Sequence, residues 1–193
     1  MTNQEFYDLK LKTEQNTIKQ VGWENVDKAI LRYRRIADIL HDVKCSSVVD
    51  YGCGLGDFVN YVPRGIEYTG VDVHESYIEK AQLIHPKELF FTIVGNGKIN
   101  ECDWAINIGA WTLNGGKSHE DYWNDIVSQV SKMLTYTKCG LIVNGFHKSV
   151  DFEDPKLFYH DMNEWFKLAK YFDGKIEIEL FQKHEFILKI YQD

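Results

Sequence analysis

Proline is scarce in this chain, at three residues in 193, and cysteine is limited to four. So little proline beside 44% hydrophobic and 14% aromatic residues excludes a disordered, low-complexity or collagen-like chain. Cys45, Cys53, Cys102 and Cys139 stand far apart with no C-x-x-C pair. That excludes a zinc knuckle or a dithiol redox centre, and free buried thiols are expected, with no metal. An excess of positive charge is also missing: 22 Lys and Arg against 29 Asp and Glu leave a net charge of -7. Without a bulk positive field to collect phosphate backbones, DNA is not an expected partner. No apolar run reaches the roughly 18 residues of a membrane span, and the amino-terminal MTNQEFYDLKLKTEQ lacks the apolar segment of a signal peptide. No membrane association is expected, and a cytoplasmic location is.

At this length a single domain with a substantial core is expected, covering 1–193. One helical stretch is predicted over Asn3 to Gln20. After Gly22, Val26, Ala29, Ile30, Tyr33, Ile36, Ala37 and Leu40 fall at helical spacing and make an amphipathic helix. Short β-branched runs follow, each closed by a glycine-rich or acidic turn. Strands are predicted at 47–51, 66–72, 89–94, 104–108 and 140–144, and helices at 57–62, 76–84, 119–134 and 161–172. The ending differs: Lys175 to Phe181 and Glu185 to Tyr191 are joined by Gln182-Lys183-His184 alone, too short for a parallel crossover. The expected fold is α/β, a doubly wound, mostly parallel sheet finished by an antiparallel carboxyl-terminal hairpin. Ligands in such sheets bind beyond the carboxyl ends of the strands.

The most informative segment is Asp50-Tyr51-Gly52-Cys53-Gly54-Leu55-Gly56-Asp57. Alternate glycines after a buried strand let the backbone turn sharply and approach a ligand closely. A dinucleotide loop, G-x-G-x-x-G, would place its third glycine where Asp57 stands, and an acid there would face a pyrophosphate. Asp50 and Asp57 instead suit a ligand carrying an ammonium group. Asp72 ends the second strand, 20 residues after Gly52, where a carboxylate can accept both hydroxyls of a ribose. An adenosyl group with an amino-acid tail satisfies all of these demands.

On these residues, with Tyr68-Thr69-Gly70-Val71-Asp72-Val73 and the terminal hairpin, the chain resembles the class I S-adenosylmethionine-dependent methyltransferases. The resemblance implies a seven-stranded, Rossmann-like sheet. It further implies S-adenosyl-L-methionine as cofactor, S-adenosyl-L-homocysteine as product, and the amino-terminal helices 1–43 as a cap over the cofactor. Gly52, Cys53 and Gly54 would then hold the methionine end, Asp72 the ribose and Val73 the adenine face. Asn96 and Gly97 would meet the adenine edge, and Asn107, Ile108 and Gly109 the methyl-bearing side. Gly22-Trp23, Arg32-Tyr33, Phe158-Tyr159 and His184-Glu185-Phe186 are similar to a bacterial small-molecule branch, in which Trp23 could cap the pocket and Arg32 pair with the methionine carboxylate.

His147 and Tyr159 follow the fifth predicted strand and are the candidates for taking up a proton from the acceptor. The expected reaction is in-line methyl transfer to a small-molecule substrate. A protein or RNA acceptor, or a cofactor-binding module without turnover, would share the same glycine loop, and neither the acceptor nor the oligomeric state is written in the spacing.

Overall fold

Val48 and Val49, both buried, lie in strand β1 (Ser47–Tyr51). The structure, a computed structural model, describes residues 2–92, 99–151 and 153–192. The chain divides into two compact units, Met1–Ile99 and Asn100–Asp193.

In the first unit β1 pairs in parallel with β2 (Glu67–Asp72), and β2 in parallel with β3 (Leu89–Thr92). Helix α4 (Glu75–Ile84) buries Tyr77, Ile78 and Ala81 and packs beside β2 and β3. The long helix α3 (Val26–Asp42) buries Ala29, Tyr33, Ile36 and Leu40, spaced by three and four residues as the sequence pattern requires. An aromatic series, Tyr33, Phe58, Tyr68 and Phe90, runs through the core with successive ring centroids 5.9, 6.4 and 5.9 Å apart.

Two expectations for this unit need correction. The stretch 3–20 is not one helix but α1 (Asn3–Thr13) and α2 (Thr17–Gln20), because the Asn16 side chain accepts a hydrogen bond from Lys19 N and starts a new helix there. The segment after the glycine loop is a 3-10 turn, Asp57–Tyr61, rather than an α-helix. Pro63 explains its shortness, since the residue before a proline is driven out of helical geometry, and Val62 is extended at ψ 127°.

In the second unit β4 (Cys102–Ile108) pairs in parallel with β5 (Thr137–His147), with α5 (His119–Leu134) between them in sequence. A two-residue strand β6 (Tyr159–His160), which no sequence pattern marks, adds in parallel to the end of β5. Helix α6 (Met162–Tyr171) follows, burying Trp165, Leu168 and Ala169. Strands β7 (Lys175–Phe181) and β8 (Glu185–Tyr191) form the expected hairpin, and β8 lies antiparallel to β5 from Gly140 to Phe146. The strand order and directions are those of a mixed α/β fold, mostly parallel, with an antiparallel carboxyl-terminal hairpin.

Strand β5 comes very close to β8 at Gly140: a Cβ there would lie 1.9 Å from the Ile190 carbonyl oxygen, and φ is 141°. Gly140→Ala is therefore expected to destabilise the protein by about 3 kcal/mol or more. That corresponds to a melting temperature lower by roughly 6–12 °C, measured by circular dichroism.

Candidate functional site

Four amides of the glycine loop are spent inside the protein. Gly52 N and Cys53 N both donate to the Val71 carbonyl, at 2.8 and 3.1 Å, and Gly56 N donates to the Cys53 carbonyl at 2.9 Å. Gly54 N donates to Oδ2 of Asp72 at 2.9 Å. A phosphate cradle works with free N–H groups. This loop has none to offer at 52, 53, 54 or 56, so what it can present to a ligand at those positions is acceptors.

Three buried or half-buried carboxylates surround it. Asp72, the last residue of β2, also accepts from His74 N on Oδ1 at 2.9 Å. A carboxylate has about four acceptor positions, so capacity remains for a diol. Burial pushes its pKa up, while the amides of His74 and Gly54 pull it down. Asp50 accepts from the Tyr68 hydroxyl at 2.8 Å. Its pKa rises to about 7 through burial, with Asp72 adding to the rise and the Tyr68 bond opposing it. Asp57 opens the 3-10 turn; its Oδ1 accepts from the Thr17 hydroxyl, and its Oδ2 is buried with no partner among the described residues. Burial pushes the pKa of Asp57 up as well, and the Thr17 bond lowers it. An orphaned carboxylate oxygen costs free energy until a donor reaches it.

Residues 17–23 lie across the loop as a strap. A Cβ on Gly54, where φ is 56°, would come within 2.6 Å of Val21 Cγ1. The Tyr77 hydroxyl donates to the Gln20 carbonyl at 2.6 Å, and Lys80 Nζ to Gln20 Oε1 at 2.7 Å. Helix α1 is held at His74 Nε2 by Gln4 at 2.9 Å and Asp8 at 3.2 Å. Trp23 and Arg32 meet, the guanidinium 4.2 Å from the indole centroid, and Arg32 is 4% exposed. Val73 follows Asp72 and is 67% exposed, an apolar side chain turned to solvent.

The remaining candidates among the described residues belong to the second unit. Asn107, Ile108 and Gly109 finish β4; Asn107 Oδ1 accepts from Ala110 N at 3.2 Å, and Gly109 N donates to the Asn144 carbonyl at 3.3 Å. His147 ends β5, buried, and its amide donates to the His184 carbonyl at 3.1 Å. Tyr159 lies in β6, where its hydroxyl accepts from Asp154 N at 3.0 Å and braces that turn. Trp111 is packed in the core, its indole N–H on Gln129 at 3.0 Å. Asn96 and Gly97 lie outside the described residues. The sequence reading missed Thr17, Val21, Tyr68 and His74, which contribute through contacts 18 to 70 residues apart in the chain; only His74, two residues beyond the timed acid, carried a local signal. No group of three or more His, Cys, Asp or Glu placed to hold a metal occurs among the described residues, and no helix among them is long and apolar enough to cross a membrane.

No protein-family model and no curated protein matches the sequence. Solved structures do match. A magnesium protoporphyrin IX methyltransferase from Synechocystis PCC 6803 with bound SAH superposes with a TM-score of 0.69 at 13% identity, covering 100% of this chain and 96% of that one. The fold is that of the S-adenosylmethionine-dependent methyltransferases. A SAM-dependent methyltransferase from Aquifex aeolicus matches the same methyltransferase fold with a TM-score of 0.65 at 14% identity, over 97% of this chain and 98% of that one. The plantazolicin methyltransferase BpumL, in complex with a monoazolic desmethylPZN analog and SAH, does so at 0.63 and 13% identity, over 86% and 84%.

Asp50 gives the methyltransferase fold a pH signature. Its carboxyl binds a proton up to about pH 7 when folded, against an ordinary value of 3.8. Between those values the folded chain holds a proton that the unfolded chain has lost, so its contribution to stability is complete at the acid end and falls as pH rises towards 7. Urea denaturation is expected to show this fall between pH 5 and about pH 7 in the native protein and to show it much reduced in Asp50→Asn.

Proposed function

We propose that the chain is an S-adenosyl-L-methionine-dependent methyltransferase acting on a small-molecule acceptor. The observation that carries this reading is the internal saturation of the loop amides beside carboxylates with spare acceptor capacity. Such a site disfavours phosphate and suits hydroxyls and an ammonium group. It also suits the fold, whose neighbours include proteins solved with bound SAH.

When bound, S-adenosylmethionine supplies a methyl group on a positively charged sulfur, already activated for attack, and S-adenosyl-L-homocysteine is the product. The protein's part is binding and orientation. Asp72 would accept the ribose hydroxyls with the capacity left by Gly54 and His74, and Val73 would cover the adenine, with Asn96 and Gly97 at its edge. The carbonyl side of Gly52, Cys53 and Gly54 and the unpartnered oxygen of Asp57 would receive the ammonium. Arg32, held against Trp23, would pair with the carboxylate, and Asp50, bonded to the Tyr68 hydroxyl, would support the loop from beneath. The helices of 1–43 would act as the cap. Asn107, Ile108 and Gly109 would line the methyl-bearing side, and the segment holding His147 and Tyr159 would meet the acceptor. The net charge of -7 favours a small molecule over a nucleic acid as that acceptor.

Isothermal calorimetry tests the reading directly. Native protein is expected to bind S-adenosylmethionine and S-adenosylhomocysteine and to ignore NAD and ATP; preference for either phosphate compound would overturn it. Asp72→Asn is expected to weaken S-adenosylmethionine by about 2 kcal/mol, roughly 30-fold in Kd. An unchanged titration with a folded variant would remove Asp72 from the ribose role. Gly54→Ala is expected to lower affinity as well, because its methyl group must displace Val21.

A further inference from the structure

Helix α1 buries none of its own residues, yet it rests on one of the most enclosed polar groups of the first unit, the His74 side chain, which is 3% exposed. His74 stands two residues beyond Asp72 and serves two partners at once. Its main-chain N–H donates to Asp72 Oδ1 at 2.9 Å. Its ring Nε2 lies 3.2 Å from Asp8 Oδ1 and 2.9 Å from the Gln4 amide nitrogen, both on α1. Nδ1 of the same ring is buried with no hydrogen-bond partner among the described residues, so among them the ring is hydrogen-bonded to α1 alone.

The helix is complete in itself and attached at two places. Thr2 and Glu5 close its amino end as a capping box, and Lys10 pairs with Glu14 at 3.4 Å across its last turn. Its carboxyl end is moored by Gln20, 4% exposed, whose Nε2 donates to the Leu11 and Glu14 carbonyls while its Oε1 receives Lys80 Nζ. Its amino half rests on His74 and on Tyr77, which meets the Tyr7 ring edge-on at 5.9 Å and is itself stacked on His74 at 4.3 Å. The Tyr7 hydroxyl has its pKa pushed up to about 12, first by burial and then by Asp72, so this face of α1 feels the carboxylate at the end of β2. A helix of 11 residues gains little on its own in water. Contacts of this polar and aromatic kind, without a buried apolar face, make α1 the segment that leaves at least cost.

Asp72 is 8% exposed and Gly54 is buried, so a ligand reaches them only when part of the surrounding chain moves. We infer that α1 is a gate of the nucleoside site, moored at Gln20 and latched on His74, which opens to admit the ligand and closes more firmly once Asp72 is occupied. This rests on the methyltransferase reading above, which supplies the ligand. The path of coupling is short. Ribose hydroxyls on Asp72 would hold still the carboxylate that binds the His74 N–H, and a steadied His74 offers Gln4 and Asp8 a fixed docking point. By linkage, docking of α1 then raises ligand affinity by the same factor as the ligand favours docking.

Hydrogen–deuterium exchange of the full chain reads the gate without turnover, because an undocked helix of this length frays and exchanges its amides. In the ligand-free protein the double variant Gln4→Ala with Asp8→Ala, at an exposed and a part-exposed position, is expected to speed exchange over residues 3–13 about tenfold. Exchange of β1 and β2 is expected to stay at the native rate. His74→Ala, which keeps the main-chain bond to Asp72, is expected to act in the same way; native exchange of α1 in the double variant overturns the latch. In the second arm, saturating S-adenosylhomocysteine is expected to slow exchange over 3–13 in the native chain about tenfold. The double variant is expected to release S-adenosylhomocysteine about tenfold faster in stopped-flow displacement. Exchange of α1 that is unaltered or faster with ligand bound overturns the gate. Failure of the native protein to bind S-adenosylhomocysteine in calorimetry instead overturns the methyltransferase reading and the ligand's part in the gate, while the ligand-free arm still decides the latch.

Discussion

The bond from Gly54 N to the Asp72 carboxylate is the constraint on which the candidate site depends. It ties the turn after β1 to the end of β2, and the donations from Gly52 and Cys53 to Val71 reinforce it. A turn fixed in this way keeps its backbone shape without a ligand, so little ordering cost is left for binding. The same bonds decide the chemistry, because amides already satisfied by the protein cannot greet an anion. Shape and selectivity come from one set of hydrogen bonds.

That choice has an electrostatic consequence. Asp50, Asp57 and Asp72 all have their pKa values raised, chiefly by burial, and Asp50 is raised further by Asp72. Carboxylates gathered in a water-poor place without a full set of cationic partners are held at a cost. A ligand with hydroxyls and a positive charge offsets that cost, and one with phosphates increases it. Marginal local stability and ligand preference are two readings of the same arrangement.

Much of the fold was legible because the apolar periodicity is clean. β1, α5 and the closing hairpin fall at their expected bounds, and β2 and α4 within one residue. The differences have local or tertiary causes. Asn16 caps a second helix inside what reads as one, and Pro63 truncates the turn that starts at Asp57. β5 runs to Thr137–His147, beyond the expected 140–144, because pairing with β8 and β6 extends it past its apolar centre. In the site, the spaced glycines and Asp72 could be read because their meaning lies in short-range spacing. Thr17 on Asp57 and Val21 over Gly54 could not, since each is a contact made only when distant segments fold together.

His119 and His147 illustrate why proximity in sequence to a strand end is a weaker guide than the hydrogen bonds a side chain makes. Both stand at the carboxyl edge of the parallel strands of the second unit. His147 is the last residue of β5 and 8% exposed, so its ring is largely removed from solvent. His119 is part-exposed, with Nε2 against the Glu164 carboxylate and its ring laid on the buried Phe158. Tyr159, the other early candidate, spends its hydroxyl on Asp154 N. The hydrogen bonds a side chain has already made decide, more than its place in the sequence, what it has left to offer a reacting group.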